Sequence, residues 1–220
     1  MPTPRSTMMS LSIGLLVIAV TNFVLTAGVL QWTRADLDPI AMPLSAYLIG
    51  PGGAWLRCAY YLMAAALACL AWASYRVSDL RKRSSLASVL LVVTALTLPL
   101  VAITATYEHS PQENLARLIH SMAAQTTFLC LVMGMLLLSS RWRHDPRLRH
   151  GSRAGMLLAW LAFAQMWLLA LWPGAPPGLT QKVLIALILL WLGWAALQLE
   201  RLRRTRRPIA HRLRSYNSTL

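Results

Sequence analysis

The side chains able to do chemistry fall at a few places in an otherwise apolar chain. His120 follows Arg117 by three positions, a spacing that puts both on one face of a helix. Ser45 and Tyr47 stand in a segment dense in turn formers, with Asp38-Pro39, Pro43 and Gly50-Pro51-Gly52-Gly53 around them. Arg57 follows about one turn into the next apolar run, and Glu108, His109 and Glu113 lie just ahead of Arg117. Guanidinium groups clamp phosphate or carboxylate, and an imidazole exchanges protons near neutral pH. Ser45, Tyr47, Arg57, Glu108, Arg117 and His120 are therefore the candidate binding set for a lipid headgroup or small polar ligand. If the loops among these residues fold over the mouth of the bundle, Arg57 and Arg117 are expected to meet Asp and Glu partners among Asp36, Asp38, Glu108 and Glu113, because a sequestered guanidinium needs a counter-charge.

No catalytic motif accompanies these residues. The chain has no Walker loop, nucleophile elbow, His-Glu-x-x-His or kinase pattern. No cofactor is expected. A bis-histidine haem site needs histidines at matched depths, and His120 is the one histidine inside an apolar run. Zinc held by Glu108, His109 and His120 lacks a specific ligand spacing. Cys58 and Cys130 differ in depth by roughly 15 Å and should not pair.

The elements that position these groups follow from composition. Of 220 residues, 57% are hydrophobic and 13% charged, against about 25% charged in soluble domains. The mean hydropathy is +0.52. Disorder, a disulfide scaffold and an ordinary soluble enzyme are excluded by this balance. Six runs are long and apolar enough to cross a bilayer as helices: 9–30, 54–75, 86–106, 115–139, 154–172 and 181–199. They lack the alternation of barrel strands. The fold class is all-α, a polytopic bundle of six transmembrane helices in one domain, residues 1–220. The first run is too long for a signal-peptide core and no clear cleavage site follows it.

Charge sets the orientation. Arg5, the links after runs two and four, and the tail from Arg201 to Arg214 hold seventeen of the 21 basic residues. Arg34, Arg57, Arg117 and Lys182 are the other four. The positive-inside rule then places both termini in the cytoplasm. The +14 net charge is a product of topology, and no nucleic-acid partner is expected. Membrane lipids are the expected partners, with anionic inner-leaflet lipids at the Arg-rich tail. Trp32, Trp55, Trp72, Trp142 and Trp172 fall near run ends and read as interfacial anchors. Asn22 and Gln165 read as interhelical hydrogen-bonding groups, and Thr94, Thr97 and Thr104 share one side of run three, with Pro99 as a kink.

One further pattern emerges. The loop before run two reads Pro43-Leu44-Ser45-Ala46-Tyr47-Leu48-Ile49-Gly50-Pro51-Gly52-Gly53, Tyr60 and Tyr61 follow it, and His120 precedes Ala123-Ala124 and Phe128. This resembles the domain-of-unknown-function 998 family of six-helix prokaryotic membrane proteins, in which a Ser-x-Tyr-x-x-Gly loop precedes the second helix and a Gly-x-x-His opens the fourth. The acid that often follows the loop serine is Ala46 here, and the glycine before the histidine is Arg117. The resemblance implies a prokaryotic cytoplasmic membrane and supplies no reaction. Ligand binding at the outer mouth is the leading reading. A lipid-modifying enzyme, with His120 or Glu108 as base and Arg57 or Arg117 on phosphate, and a small transporter or transporter subunit are the alternatives.

Overall fold

A computed structural model describes residues 4–77, 85–107, 111–149, 151–172 and 174–217, with side chains described from residue 8 to residue 204 within those segments. Six α-helices occupy the six apolar runs: α1 Pro4–Thr33, α2 Gly53–Val77, α3 Ser85–Thr104, α4 Glu113–His144, α5 Ser152–Leu171 and α6 Pro177–Asn217. There is no strand among the described residues. Each helix is long and apolar enough to cross a membrane. The helices satisfy their own backbone groups, which the bilayer interior cannot do. Pro99 sits inside α3, and the helix runs through it to Thr104.

Every helix packs against its neighbours in sequence, and α6 closes onto α1. The result is a six-membered ring. A ring of six cylinders leaves space at its axis, so side chains decide whether the middle is filled. At the end that carries the Arg-rich tail, it is filled. Trp191 is fully buried there and donates its indole N–H to Ser139 Oγ at 2.8 Å. Trp194 stacks obliquely between Trp142 and Trp191, with ring centroids 5.4 and 5.8 Å away. Gly155 of α5 lies directly under Trp194, where a Cβ would stand 2.2 Å from the indole. Arg203 reaches from α6 to Ser10 of α1 at 2.9 Å and also pairs with Glu200.

The opposite end, called the loop end below, is covered by the segment between α1 and α2. Arg34 fastens that cover. It is 8% exposed, grips Asp36 through two hydrogen bonds of 2.7 and 2.8 Å, and donates to the Ile49 carbonyl at 2.6 Å. Gly50, at φ +75°, lets the chain turn directly beside the guanidinium, where a Cβ would be 3.2 Å from both terminal nitrogens. Asp38 accepts from the Ile40 and Ala41 amides. The same stretch is pinned to α6: the Gly178 and Leu179 amides donate to the Ala41 and Ile40 carbonyls at 3.2 and 2.9 Å. A 3-10 turn, Leu44–Leu48, then dips into the ring, with Leu44, Tyr47 and Leu48 buried.

Two expectations change at this level. Trp142 is 2% exposed and belongs to the aromatic plug, whereas Trp32, Trp55 and Trp172 are exposed as anchors should be. Asn22 is exposed on the outer face of α1 and joins no other helix, because the buried side of α1 is the stripe Leu16, Ala19, Phe23, Ala27 and Leu30. Gln165 does join helices, donating to the Thr180 carbonyl of α6 at 3.0 Å.

Candidate functional site

Beneath the 3-10 turn the axis of the ring opens into a narrow cleft, whose empty space together with the open solvent at its mouth is about 670 Å³. Five helices line it, α5 being the exception. Ser45, Tyr60, His120 and Gln181 stand toward the loop end, and Leu67, Leu131 and Leu192 stand deepest. From His120 to Leu131, as from Gln181 to Leu192, is eleven residues, or roughly 16 Å of helix. Apart from Thr127 the walls between are apolar, with Phe23, Met63, Leu98, Val101, Ala124, Phe128, Ile185, Ile188 and Leu189. Polar groups crown one end of a deep apolar slot.

Each polar group is placed by a specific local cause. His120 is half-buried, and its Nδ1 lies 3.1 Å from Thr104 Oγ1. Two turns deeper, the Thr97 and Thr127 hydroxyls meet at 2.8 Å. These pairs register α3 against α4, so the threonine side of α3 does face the histidine helix. Gln181 accepts from the Leu44 amide through Oε1 at 2.8 Å, which ties the first loop to α6 and leaves Ser45 half-buried at the top of the slot. Tyr60 packs its ring on Phe23, centroids 5.3 Å apart.

Tyr47 is wholly buried and its hydroxyl has no hydrogen-bond partner. Burial pushes its phenol above the ordinary range, and Arg34 works against that shift while Asp38 and Asp36 add to it. The Lys182 ammonium sits over the ring at 5.2 Å and donates to the Pro39 carbonyl. Arg57 is half-buried, and its Nη1 donates to the Leu48 carbonyl at the end of the 3-10 turn. It forms no ion pair with a carboxylate among the described residues. Gly53 permits that approach, since α2 begins against the Leu48 carbonyl with no room for a Cβ.

Of the six candidate residues, Ser45 and His120 line the cleft, Tyr47 and Arg57 hold the cap above it, and Arg117 stands apart. Arg117 is exposed and pairs with Glu113, one turn back on α4. Glu108 and His109 lie outside the described residues. The acid expected to meet Arg57 or Arg117 in the first loop, Asp36, is held by Arg34 instead, two residues away and better placed. That ion pair keeps the Asp36 carboxyl below its usual range. Among the described residues that line the cleft there is no carboxylate. Sequence reasoning missed Tyr60 and Gln181 as parts of the site, and Arg34 as the fastening of the loop that covers it. Arg34 had one visible signal, an arginine two residues from an acid at the boundary of an apolar run.

This arrangement defines a multi-pass membrane protein whose helices ring an amphiphilic cleft. The chain matches the family described as "Protein of unknown function (DUF998)" over residues 17–198, and it belongs to that family. No curated protein and no solved structure matches it.

Proposed function

We propose that this protein resides in the cytoplasmic membrane of a prokaryote with both termini inside the cell, and that it binds the alkyl portion of a membrane amphiphile in the cleft, with the polar headgroup at the loop end. One observation carries the reading: a deep apolar slot is crowned at one end by Ser45, Tyr60, His120 and Gln181. Apolar walls with few polar groups at one mouth match a ligand that is itself apolar with one polar terminus. Arg57, half-buried and free of an acidic partner among the described residues, supplies positive charge about one turn of helix above Tyr60. An anionic or zwitterionic headgroup suits that charge. The Arg-rich opposite end suits the anionic lipids of the inner leaflet.

The test is the lipid that stays with the purified protein. Ala124→Trp with Ile185→Trp fills the slot, and Leu190→Trp, on an exposed position of α6, is the matched control. Native mass spectrometry of the full chain should show bound lipid in wild type and in the control, and little in the filled variant. Arg57→Ala with His120→Ala should weaken retention while leaving the slot open. Equal lipid content in all four proteins would refute the reading.

A further inference from the structure

We infer that the cleft opens sideways through a portal between α4 and α5, so that its ligand is an alkyl chain of the surrounding bilayer, admitted from the leaflet beside the loop end. The inference rests on the binding reading above and adds the route and the source of the ligand. It comes from comparing the two halves of one helix face. Residues eighteen apart on a helix are five whole turns apart and point the same way. Ser139 and Ser121 form such a pair on α4, as do Met135 and Arg117. Ser139 and Met135 are 0% exposed. Ser121 is exposed, and the Arg117 side chain is 69% exposed. The face that is sealed in the Arg-rich half is therefore uncovered in the loop half.

The behaviour of α5 explains the change. Its buried residues, Ser152, Gly155, Ala159 and Ala162, all lie between its start and its midpoint turn. Small side chains there allow close approach to the ring. Beyond Ala162 the residues enlarge to Phe163, Met166, Trp167 and Leu168, and none is buried. In that half Gln165 holds α5 to Thr180 of α6, on the side away from α4. Two walls of the cleft, Ala124 and Phe128 on α4 and Ile185 and Leu189 on α6, flank α5, whose fully buried residues end at Ala162, while Phe163, Met166 and Leu169 beyond it are half-buried against the core.

The rim of the opening has its own chemistry. Glu113, Arg117, Ser121 and Gln125 recur at four-residue intervals down the uncovered face. Arg117 pairs with Glu113, and Gln125 donates to Ser121 at 3.2 Å. Ser121 and Gln125 are exposed polar groups within a membrane span, where polar groups facing hydrocarbon are disfavoured. A headgroup sliding past the rim would meet hydrogen-bonding groups all the way from Arg117 to the slot. A chain arriving sideways also need not unfasten the Arg34 latch that closes the loop end.

The experiment uses the full chain in liposomes and palmitic acid bearing a diazirine near its terminal methyl. The probe is added outside and flashed at increasing delays, and peptides containing Phe128 and Ile188 are scored for the label. A second arm builds the same diazirine chain into phosphatidylglycerol at reconstitution and scores the final extent. Ser121→Trp with Gln125→Trp obstructs the rim, and Met122→Trp, on another exposed face of α4, is the control. The obstructed variant should label about tenfold more slowly with palmitic acid and reach the same final extent, whereas the control should match wild type. Arg34→Ala, which loosens the cover, should leave the rate unchanged. An obstructed variant as fast as wild type, or a rate that rises with Arg34→Ala, would overturn lateral admission while leaving the binding reading intact. Absence of label at both peptides in wild type, in both arms, would sink the binding reading itself. Label from palmitic acid alone assigns the site to free single-chain amphiphiles and overturns the bilayer phospholipid as source; label in both arms supports it.

Discussion

Arg34 shows how one side chain can organise a loop in a protein with few charges. It sits at the point where α1 leaves its span, and its planar fork matches the Asp36 carboxylate while a remaining nitrogen reaches the Ile49 carbonyl. The two ends of an eighteen-residue stretch, 34–51, are closed by that one group. The pH response follows from the sign of the shift. Asp36 is depressed in the folded protein, so its contribution is present above the ordinary carboxylate range and is lost as pH falls through the lower, folded value. The protection of the amides between Asp36 and Gly50 against hydrogen exchange, taken relative to the intrinsic rate at each pH, should be high at neutral pH and fall in acid. The fall should be shallower in Asp36→Asn, which has already lost the charge; an identical acid profile in that variant would locate the titrating group elsewhere. None of this was legible beforehand at Arg57 and Arg117. Both were expected to find acids: Arg117 did, in Glu113 on its own helix, whereas Asp36 was taken by Arg34, its nearer partner, and Arg57 donates to the Leu48 carbonyl.

At the scale of elements, packing in the Arg-rich half depends on side chains that are absent as much as on those present. Gly155 leaves the space that Trp194 fills, and the indole donates to the Gly151 carbonyl at 3.1 Å. Gly155→Leu should force Trp194 out of its place and cost about 1–3 kcal/mol by overpacking. A thermal unfolding scan in detergent should show the drop, and Gly193→Leu, where a Cβ meets open space, should show much less. The six spans themselves were readable because each run meets a length that only a membrane demands. The aromatic plug was not. A tryptophan near a run end fits an anchor and a core residue equally well in composition, and Trp142 became core because α5 and α6 converge on it. His120 was legible as a residue inside a span, but its partner Thr104 was not, since pairing across helices depends on their mutual rotation. The cleft was the least legible feature: nothing in a sequence records that the axis of a ring is filled in one half and open in the other.

For the whole molecule, a consistent charge split supports the orientation. In the sequence, seventeen basic residues fall at Arg5, in the links after the second and fourth apolar runs and in the tail, and four fall elsewhere. A pair of reporters joined after Leu220, alkaline phosphatase and green fluorescent protein, should give fluorescence without phosphatase activity, the outcome required by a tail inside the cell. Active phosphatase would reverse the assignment and turn the cleft toward the cytoplasm.

The docking of Ile40 and Ala41 onto Gly178 and Leu179 carries a consequence in time. The ribosome releases the first of these partners long before the last, so the early hairpin of α1 and α2 must wait in the bilayer with its cover unmoored. Closure of the ring and seating of the cover then become a single late event, performed by α6. Chains halted after α5 would lack both the α6 wall of the cleft, from Gln181 to Leu192, and the anchorage of its cover.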